Sequence, residues 1–354
     1  MRRIFIVGYS ENKGGVESYI TNLCGQIKDN FEIILSLPKM RIDGVDWIRP
    51  KNRHNIFKYY SFWTKFFKQN HFDALYYNTC DIVSIDMLKF AKDAKIPIRI
   101  IHSHNAGNQM AIQKKMNICH RIIEQYNKKH IEEYATHLLA CSEKAGEWMF
   151  GQKSFNVIKN GILLSKYAFS LENRIKLRNK YGYTDEKIVG IIGRLDYQKN
   201  PFFAVNVLEK WIAEASNISA VFIGEGQLKE SVEQEVEQRG LSHRIKFIGG
   251  VNNINEWMST IDCLLLPSLF EGLPFVLVEA QAAGLRCVVS SAVSSEANIT
   301  GLVEFVGLQE DLSIWVQKIE KQIALGREDV TQKMIAAGYS IADSAKKIID
   351  ILMK

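Results

Sequence analysis

Cys263-Leu264-Leu265-Leu266-Pro267-Ser268-Leu269-Phe270-Glu271-Gly272-Leu273-Pro274-Phe275-Val276-Leu277-Val278-Glu279-Ala280 holds a strand, a turn and a helix within eighteen residues. The apolar run Cys263 to Leu266 reads as a short buried strand. Pro274, suited to a first helical position, opens a helix after a turn that carries Gly272. A strand feeding a helix through a short turn is the unit of a parallel sheet covered on both faces. That unit recurs along the chain. In the first half, strands are predicted at Ile4 to Gly8, Glu32 to Leu37, Ala74 to Tyr77, Arg99 to His102, Leu138 to Ala140 and Asn156 to Ile158. In the second half they are Val189 to Ile192, Ala220 to Ile223, Lys246 to Ile248, Cys263 to Leu266, Cys287 to Ser290 and Val303 to Val306. Polar, strandless sequence from Leu164 to Lys187 separates the two series. The predicted fold class is α/β: two doubly wound, Rossmann-like parallel-sheet domains, 1–163 and 164–335, facing a central cleft at the carboxyl ends of their strands. A closing helix in 336–354, apolar at Ile341, Ala345, Ile348, Ile349 and Leu352, packs back on the first domain.

Composition agrees with two cores. A chain of 354 residues is too long for one, and 47% hydrophobic with 24% charged residues excludes disordered, collagen-like and mucin-like proteins. The net charge of +6 is uneven: residues 1–165 carry 24 Lys/Arg against 15 Asp/Glu, and the remainder 21 against 24. The basic half is expected to face something anionic. Six scattered cysteines, without a Cys-x-x-Cys pair or zinc-ligand spacing, read as reduced core residues. The run Arg3 to Gly8 is too short for a signal peptide, and no apolar run reaches the roughly 18 residues of a transmembrane helix. A cytoplasmic protein at the inner face of the cell membrane is expected.

Several strand ends carry residues with chemistry to offer. After Pro267, the turn and helix start point backbone N–H groups beyond the strand, a place for a phosphate or a sugar oxygen. Glu271 stands in that turn and Glu279 in the helix, about 10 Å apart by helical rise. That is too far for a retaining glycosidase pair at about 5 Å, so the two carboxylates either grip different parts of one ligand or are a solvated Glu and a helix-capping Glu. Gly193-Arg194-Leu195-Asp196-Tyr197-Gln198-Lys199-Asn200-Pro201 follows another strand. Arg194 and Lys199 can converge on a diphosphate, or be a solvated pair. Gly14-Gly15-Val16-Glu17 after the first strand permits close approach of phosphate, but it lacks the dinucleotide glycine spacing. Gly224-Glu225-Gly226 repeats glycine after a strand, and His102-Ser103-His104-Asn105 ends a strand of the first domain. Neutral imidazole there could bind sugar hydroxyls; a metal site is not expected, for want of a third ligand.

Arg53 to Lys68 has one helical stripe of Lys58, Ser61, Lys65 and Lys68 and another of Tyr59, Phe62, Trp63, Phe66 and Phe67. It is either a headgroup-binding helix or a domain helix with solvated lysines. A second basic run holds Lys114, Lys115, Arg121, Lys128 and Lys129.

Taken together these motifs resemble glycosyltransferase family 4, the retaining nucleotide-sugar transferases of GT-B fold, in its capsule and exopolysaccharide branch. The resemblance runs from Gly14-Gly15-Val16-Glu17 through Ile101-His102-Ser103-His104-Asn105, Asn160-Gly161, Gly193-Arg194-Leu195 with Lys199-Asn200, and Phe222-Ile223-Gly224-Glu225-Gly226 to Leu266-Pro267-Ser268-Leu269-Phe270-Glu271-Gly272-Leu273-Pro274. It implies that Arg194 and Lys199 bind the donor diphosphate, Glu279 the ribose and Glu271 the donor sugar. It places the backbone of Gly272, Leu273, Pro274 and Phe275 at sugar and phosphate, with Gly14 and Gly15 over the diphosphate. Gly224 joins the donor site, and one of His102 and His104 stands near the reacting carbon, His104 being favoured. The implied reaction moves a hexose or N-acetylhexosamine, with retention, from a UDP-sugar to a lipid-linked saccharide. It needs no cofactor and no metal, and there is no Asp-x-Asp motif. The expected partners are the nucleotide-sugar, the lipid-linked acceptor and an anionic membrane touched by the N-terminal domain, with no nucleic acid. The rivals are a nucleotide-sugar 2-epimerase of the same fold and an inactive partner subunit.

Overall fold

Strands rich in Val, Ile and Leu pair as two parallel sheets in the computed structural model, which describes residues 1–8, 14–36, 42–51, 53–105, 118–271 and 273–354. Gly272, Lys114 and Lys115 lie outside the described residues. The chain forms two units, Met1–Ile162 with Gly338–Lys354, and Leu163–Ala337.

The first unit is built on β1 (Arg2–Val7), β2 (Phe31–Ser36), β3 (Asp46–Ile48), β4 (Ala74–Thr79), β5 (Ile98–Ser103), β6 (His137–Ala140) and β7 (Asn156–Val157), in the order β3-β2-β1-β4-β5-β6-β7. The order reverses between β1 and β4, which makes their carboxyl ends the switch point where such sheets take ligands. Close approach there is enforced. A Cβ on Gly8 would lie 2.0 Å from the Asn78 carbonyl oxygen, and the Gly8 φ of +110° is open mainly to glycine. The closing helix Ile341–Leu352 packs on helix Gly15–Ile27 of this unit. The Ile162 N–H donates to the Tyr339 carbonyl at 2.9 Å, and the Ser344 hydroxyl donates to the Lys159 carbonyl at 2.9 Å. Gly161 is glycine because a Cβ would stand 2.6 Å from Ser344 Oγ.

The second unit is built on β8 (Lys187–Ile192), β9 (Ile218–Ile223), β10 (Ile245–Gly249), β11 (Cys263–Leu266), β12 (Cys287–Ser290) and β13 (Val303–Val306), in the order β10-β9-β8-β11-β12-β13. Its switch point lies between β8 and β11. These are the strands that lead into the Arg194 and Glu271 loops.

Two helices of the first unit place their apolar residues in opposite ways. In helix Ile56–Gln69 the aromatic stripe faces inward: Tyr59, Trp63 and Phe67 are buried, with Phe62 and Phe66 packed on the same core. Phe5 meets Trp63, Phe66, Phe67 and Phe72 at ring-centroid distances of 5.2 to 5.8 Å. Each ring buried there contributes about 2 kcal/mol or more, which decides for the domain helix over the headgroup helix. In helix Ile118–His130 the usual polarity is reversed. Glu124 and Asn127 are buried, Glu124 paired with Lys128 at 2.9 Å and Asn127 donating to the Ile82 carbonyl at 2.8 Å. Ile118, Ile122, Ile123 and Tyr126 are exposed. Among the described residues no helix is long and apolar enough to cross a membrane. Cys24, Cys141, Cys263 and Cys287 are buried; Cys80 and Cys119 lie at the surface, and all six are free thiols.

Candidate functional site

At the switch point of the second unit, the loops after β8 and β11 are joined. The Leu269 N–H donates to the Gln198 carbonyl at 2.8 Å, the Gln198 side chain to the Phe270 carbonyl at 3.0 Å, and the Asn200 side chain to the Pro267 carbonyl at 3.3 Å. The first loop is shaped by its own residues. The Lys199 N–H donates to Asp196 Oδ1 at 3.1 Å. Asn200 adopts φ +53°, and Pro201 after it starts helix Pro201–Glu214. A non-glycine residue held at positive φ before proline is strained backbone, which persists only where its surroundings fix it.

This framework presents the predicted side chains as follows. Lys199 Nζ pairs with Glu271 Oε1 at 2.6 Å, both side chains being largely buried. Arg194 is mostly exposed, its Nε 3.6 Å from Asp196 Oδ2. Glu271 is anchored through its backbone, whose carbonyl accepts from the Ser294 N–H at 3.2 Å. Pro274 caps helix Phe275–Ala282 without a side-chain cap, and Leu273 and Phe275 are half-buried. Glu279 is buried in that helix. Loss of hydration pushes its carboxyl up to about 7, opposed by a hydrogen bond from Tyr167, whose hydroxyl donates to Glu279 Oε1 at 2.6 Å, and by the charge of Lys166. Gly224 has a packing reason of its own: at φ +145°, a Cβ there would stand 1.9 Å from the Gly193 carbonyl oxygen. The Gly193 N–H donates to the Ile223 carbonyl at 3.0 Å, the Leu195 N–H to the Glu225 carbonyl at 3.0 Å and the Gly224 N–H to the Gly249 carbonyl at 2.9 Å, so glycine here lets the loops after β8, β9 and β10 lie together.

In the first unit, helix Gly15–Ile27 begins at Gly14, whose N–H is occupied by the Glu17 carboxylate at 3.0 Å. Gly14 sits in extended backbone at φ −128°. The capping carboxylate therefore holds one N–H that the sequence offered to phosphate. The two histidines, 4.2 Å apart by ring centroids, differ in access. His102 is fully buried, its Nδ1 2.6 Å from the Tyr76 hydroxyl, which in turn meets the Tyr19 hydroxyl at 3.1 Å. Burial drives its imidazole well below its ordinary value. His104, past the end of β5, is half-buried. Its Nε2–H donates to Asn78 Oδ1 at 2.9 Å, a direction fixed because the other end of that amide donates to the Val7 carbonyl at 3.2 Å. Its Nδ1 meets Asn160 at 2.9 Å. Burial lowers His104 to about 3, so the ring is neutral and Asn160 must turn its amide NH2 toward Nδ1. Asn78, Tyr76, Tyr19 and Tyr167 carry no signal in the sequence: each is an ordinary polar or aromatic residue until the fold sets it beside a histidine or Glu279. Among the described residues no group of three or more His, Cys, Asp or Glu side chains is arranged to hold a metal ion.

The pattern of the family described as glycosyl transferases group 1 matches residues 173–352. EpsF of Bacillus subtilis (strain 168) is 30% identical over 271 residues, which span 74% of this chain and 70% of that one. The UDP-Gal:alpha-D-GlcNAc-diphosphoundecaprenol alpha-1,3-galactosyltransferase of Escherichia coli is 28% identical over 214 residues, 55% of this chain and 53% of that one. Among solved structures, Anabaena Alr3699/HepE in complex with UDP and glucose superposes with a TM-score of 0.77 at 18% identity, over 100% of both chains. At that identity the superposition speaks for the fold alone.

Proposed function

Because this chain belongs to the glycosyl transferases group 1 family, we propose that it is a retaining, metal-independent transferase that moves a hexose or N-acetylhexosamine from a UDP-sugar to a lipid-linked saccharide in polysaccharide synthesis. The observation that carries this reading is the junction of two loops at one switch point, which sets two cations and a carboxylate beside the helix bearing Glu279. Breaking the anomeric C–O bond places negative charge on the departing diphosphate, and fixed cations at that position lower the barrier. Arg194, mostly exposed, is assigned to the outer phosphate. Lys199 exchanges Glu271 for phosphate, and the freed carboxylate turns to the sugar hydroxyls. Glu279 accepts from the ribose. His104 of the first unit is assigned to the transfer step. The UDP donor and polyprenyl-linked acceptor of the E. coli relative, as its name states them, support this choice of substrates.

The test is transfer of labelled sugar from a panel of UDP-sugars to polyprenyl-diphosphate-linked acceptors in the presence of EDTA. UDP release that depends on acceptor and is unchanged by EDTA is expected. Conversion of the UDP-sugar to its 2-epimer without acceptor would favour the epimerase, and a rate restored by Mg²⁺ would overturn metal independence.

The membrane contact is assigned to helix Ile118–His130 in place of the aromatic helix. Its exposed Ile118, Ile122, Ile123 and Tyr126 are accompanied by exposed Arg121 and Lys129, a combination suited to an anionic headgroup layer. Replacing Ile122 and Ile123 with serine is expected to cut binding to phosphatidylglycerol vesicles about tenfold. Replacing Lys58, Lys65 and Lys68 with Glu should have the smaller effect, and the reverse order would return the contact to the aromatic helix.

A further inference from the structure

The sequence treats Leu164 to Lys187 as a polar connector, yet Tyr167 in it is 5% exposed and directs its hydroxyl at a carboxylate more than a hundred positions away. It lies at the end of the short helix Leu164–Tyr167, which packs on helix Phe275–Ala282. Glu279 is equally enclosed at 9% exposure, and the hydroxyl of Tyr167 reaches its Oε1 at 2.6 Å. A phenol in contact with a carboxylate has one useful orientation: its O–H donates, since the carboxylate can only accept. That bond ties one carboxylate oxygen to a rigid neighbour and leaves Oε2 for another donor.

From this geometry we propose that Tyr167 is a positioning residue for donor binding: its hydroxyl holds the Glu279 carboxylate in place and keeps it charged for the nucleotide ribose. The proposal rests on the assignment of Glu279 to the ribose above. The surroundings leave few other means of holding the charge. Lys166, next to Tyr167, is the cation that acts on Glu279. Helix Ile254–Thr260 brings Glu256, which is bound to Lys176 at 3.3 Å and to Asn253 at 2.8 Å. Helix Phe275–Ala282 itself carries no second ionisable group. Burial already lifts Glu279 to about 7, so the hydrogen bond from Tyr167 acts where it alters occupancy of the charged form near neutral pH. Removing a donor to the charged form raises the carboxyl further.

The substitution is Tyr167→Phe, which keeps the ring and removes only the hydroxyl. A rise of about one unit would leave roughly a tenth of the variant's carboxyl ionised at pH 7 against half in the parent, a loss of about fivefold in UDP affinity that vanishes by pH 9. Two readouts are taken: calorimetric UDP titration of both proteins from pH 6 to pH 9, and carboxyl-carbon NMR of Glu279, assigned by its absence in Glu279→Gln. A merely structural role would weaken binding equally at every pH. The expected result is an NMR titration moved to higher pH, with a variant-to-parent affinity ratio that closes as pH rises. In the Glu279→Gln background, Tyr167→Phe should change neither. An unmoved Glu279 titration overturns the proposal, and so does a moved titration with unchanged UDP affinity. If the parent binds no UDP at any pH while the titration moves as expected, the ribose assignment fails and the role of Tyr167 in donor binding falls with it, while the hydrogen bond's effect on Glu279 is read independently.

Discussion

Lys199→Ala is expected to lower sugar transfer by about a thousandfold and to weaken UDP binding, whereas Glu271→Gln should lower transfer by about a hundredfold and leave UDP binding intact or tighter. The difference follows from the 2.6 Å ion pair. In the free protein the two charges neutralise each other, so a diphosphate must compete with Glu271 for the ammonium. Alanine at 199 removes the cation that meets the leaving group. Glutamine at 271 keeps the shape of the loop and frees that cation. Because both side chains are largely buried, cutting the pair also leaves one charge unmatched. Each variant is therefore compared at a temperature well below its own melting point. Full transfer in either variant, or equal loss of UDP affinity in both, would remove these residues from the proposed roles.

Glu279→Gln is expected to stabilise the protein at pH 8 by on the order of 3 kcal/mol, an advantage that shrinks toward zero near pH 4.5. Burial raises this carboxyl from 4.5 to about 7. As pH rises through that window, the unfolded chain gives up its proton while the folded one keeps it. The folded state then binds more protons, and its stability falls with rising pH until the folded carboxyl ionises near 7. Above that the cost is constant. Glutamine, neutral in both states, removes it. The same substitution should cost roughly tenfold in UDP affinity at pH 8, because an amide is a weaker acceptor than a carboxylate. Urea unfolding at pH 5 and pH 8 reads the first effect. Equal stabilisation at both values would show that the gain does not come from the buried charge. A carboxylate kept at a stability cost is the pattern of a functional group.

Much of this was legible in the sequence, and the failures have physical causes. Runs such as Cys263 to Leu266 are buried on both faces and bounded by proline, so length and apolarity located them. Asp46–Ile48 escaped because an exposed edge strand of three residues has no apolar run to show. The loops carrying Arg194 and Glu271 were found as separate motifs. Their union through Gln198 and Asn200, and the pairing of Lys199 with Glu271, belong to strand order, which a linear pattern does not contain. The two helices of the first unit needed the structure for opposite reasons. Aromatic residues beside lysines in Ile56–Gln69 suit a headgroup surface and a domain helix equally, and only packing around Phe5 decides for the domain helix. In Ile118–His130 apolar periodicity marks the outward face, because Glu124 and Asn127 find their partners inside. At Gly224 the approach of the Gly193 carbonyl demands glycine whatever else the residue meets, a packing reason that a linear pattern does not show.

Calorimetric titration of the intact chain with UDP at pH 8, in EDTA, addresses the donor site directly. One site of micromolar affinity is expected, weakened at least tenfold by Lys199→Ala and by Glu279→Gln and unaffected by Ile122→Ser. No UDP binding by the parent, or binding that survives both donor-site substitutions unchanged, would contradict the account.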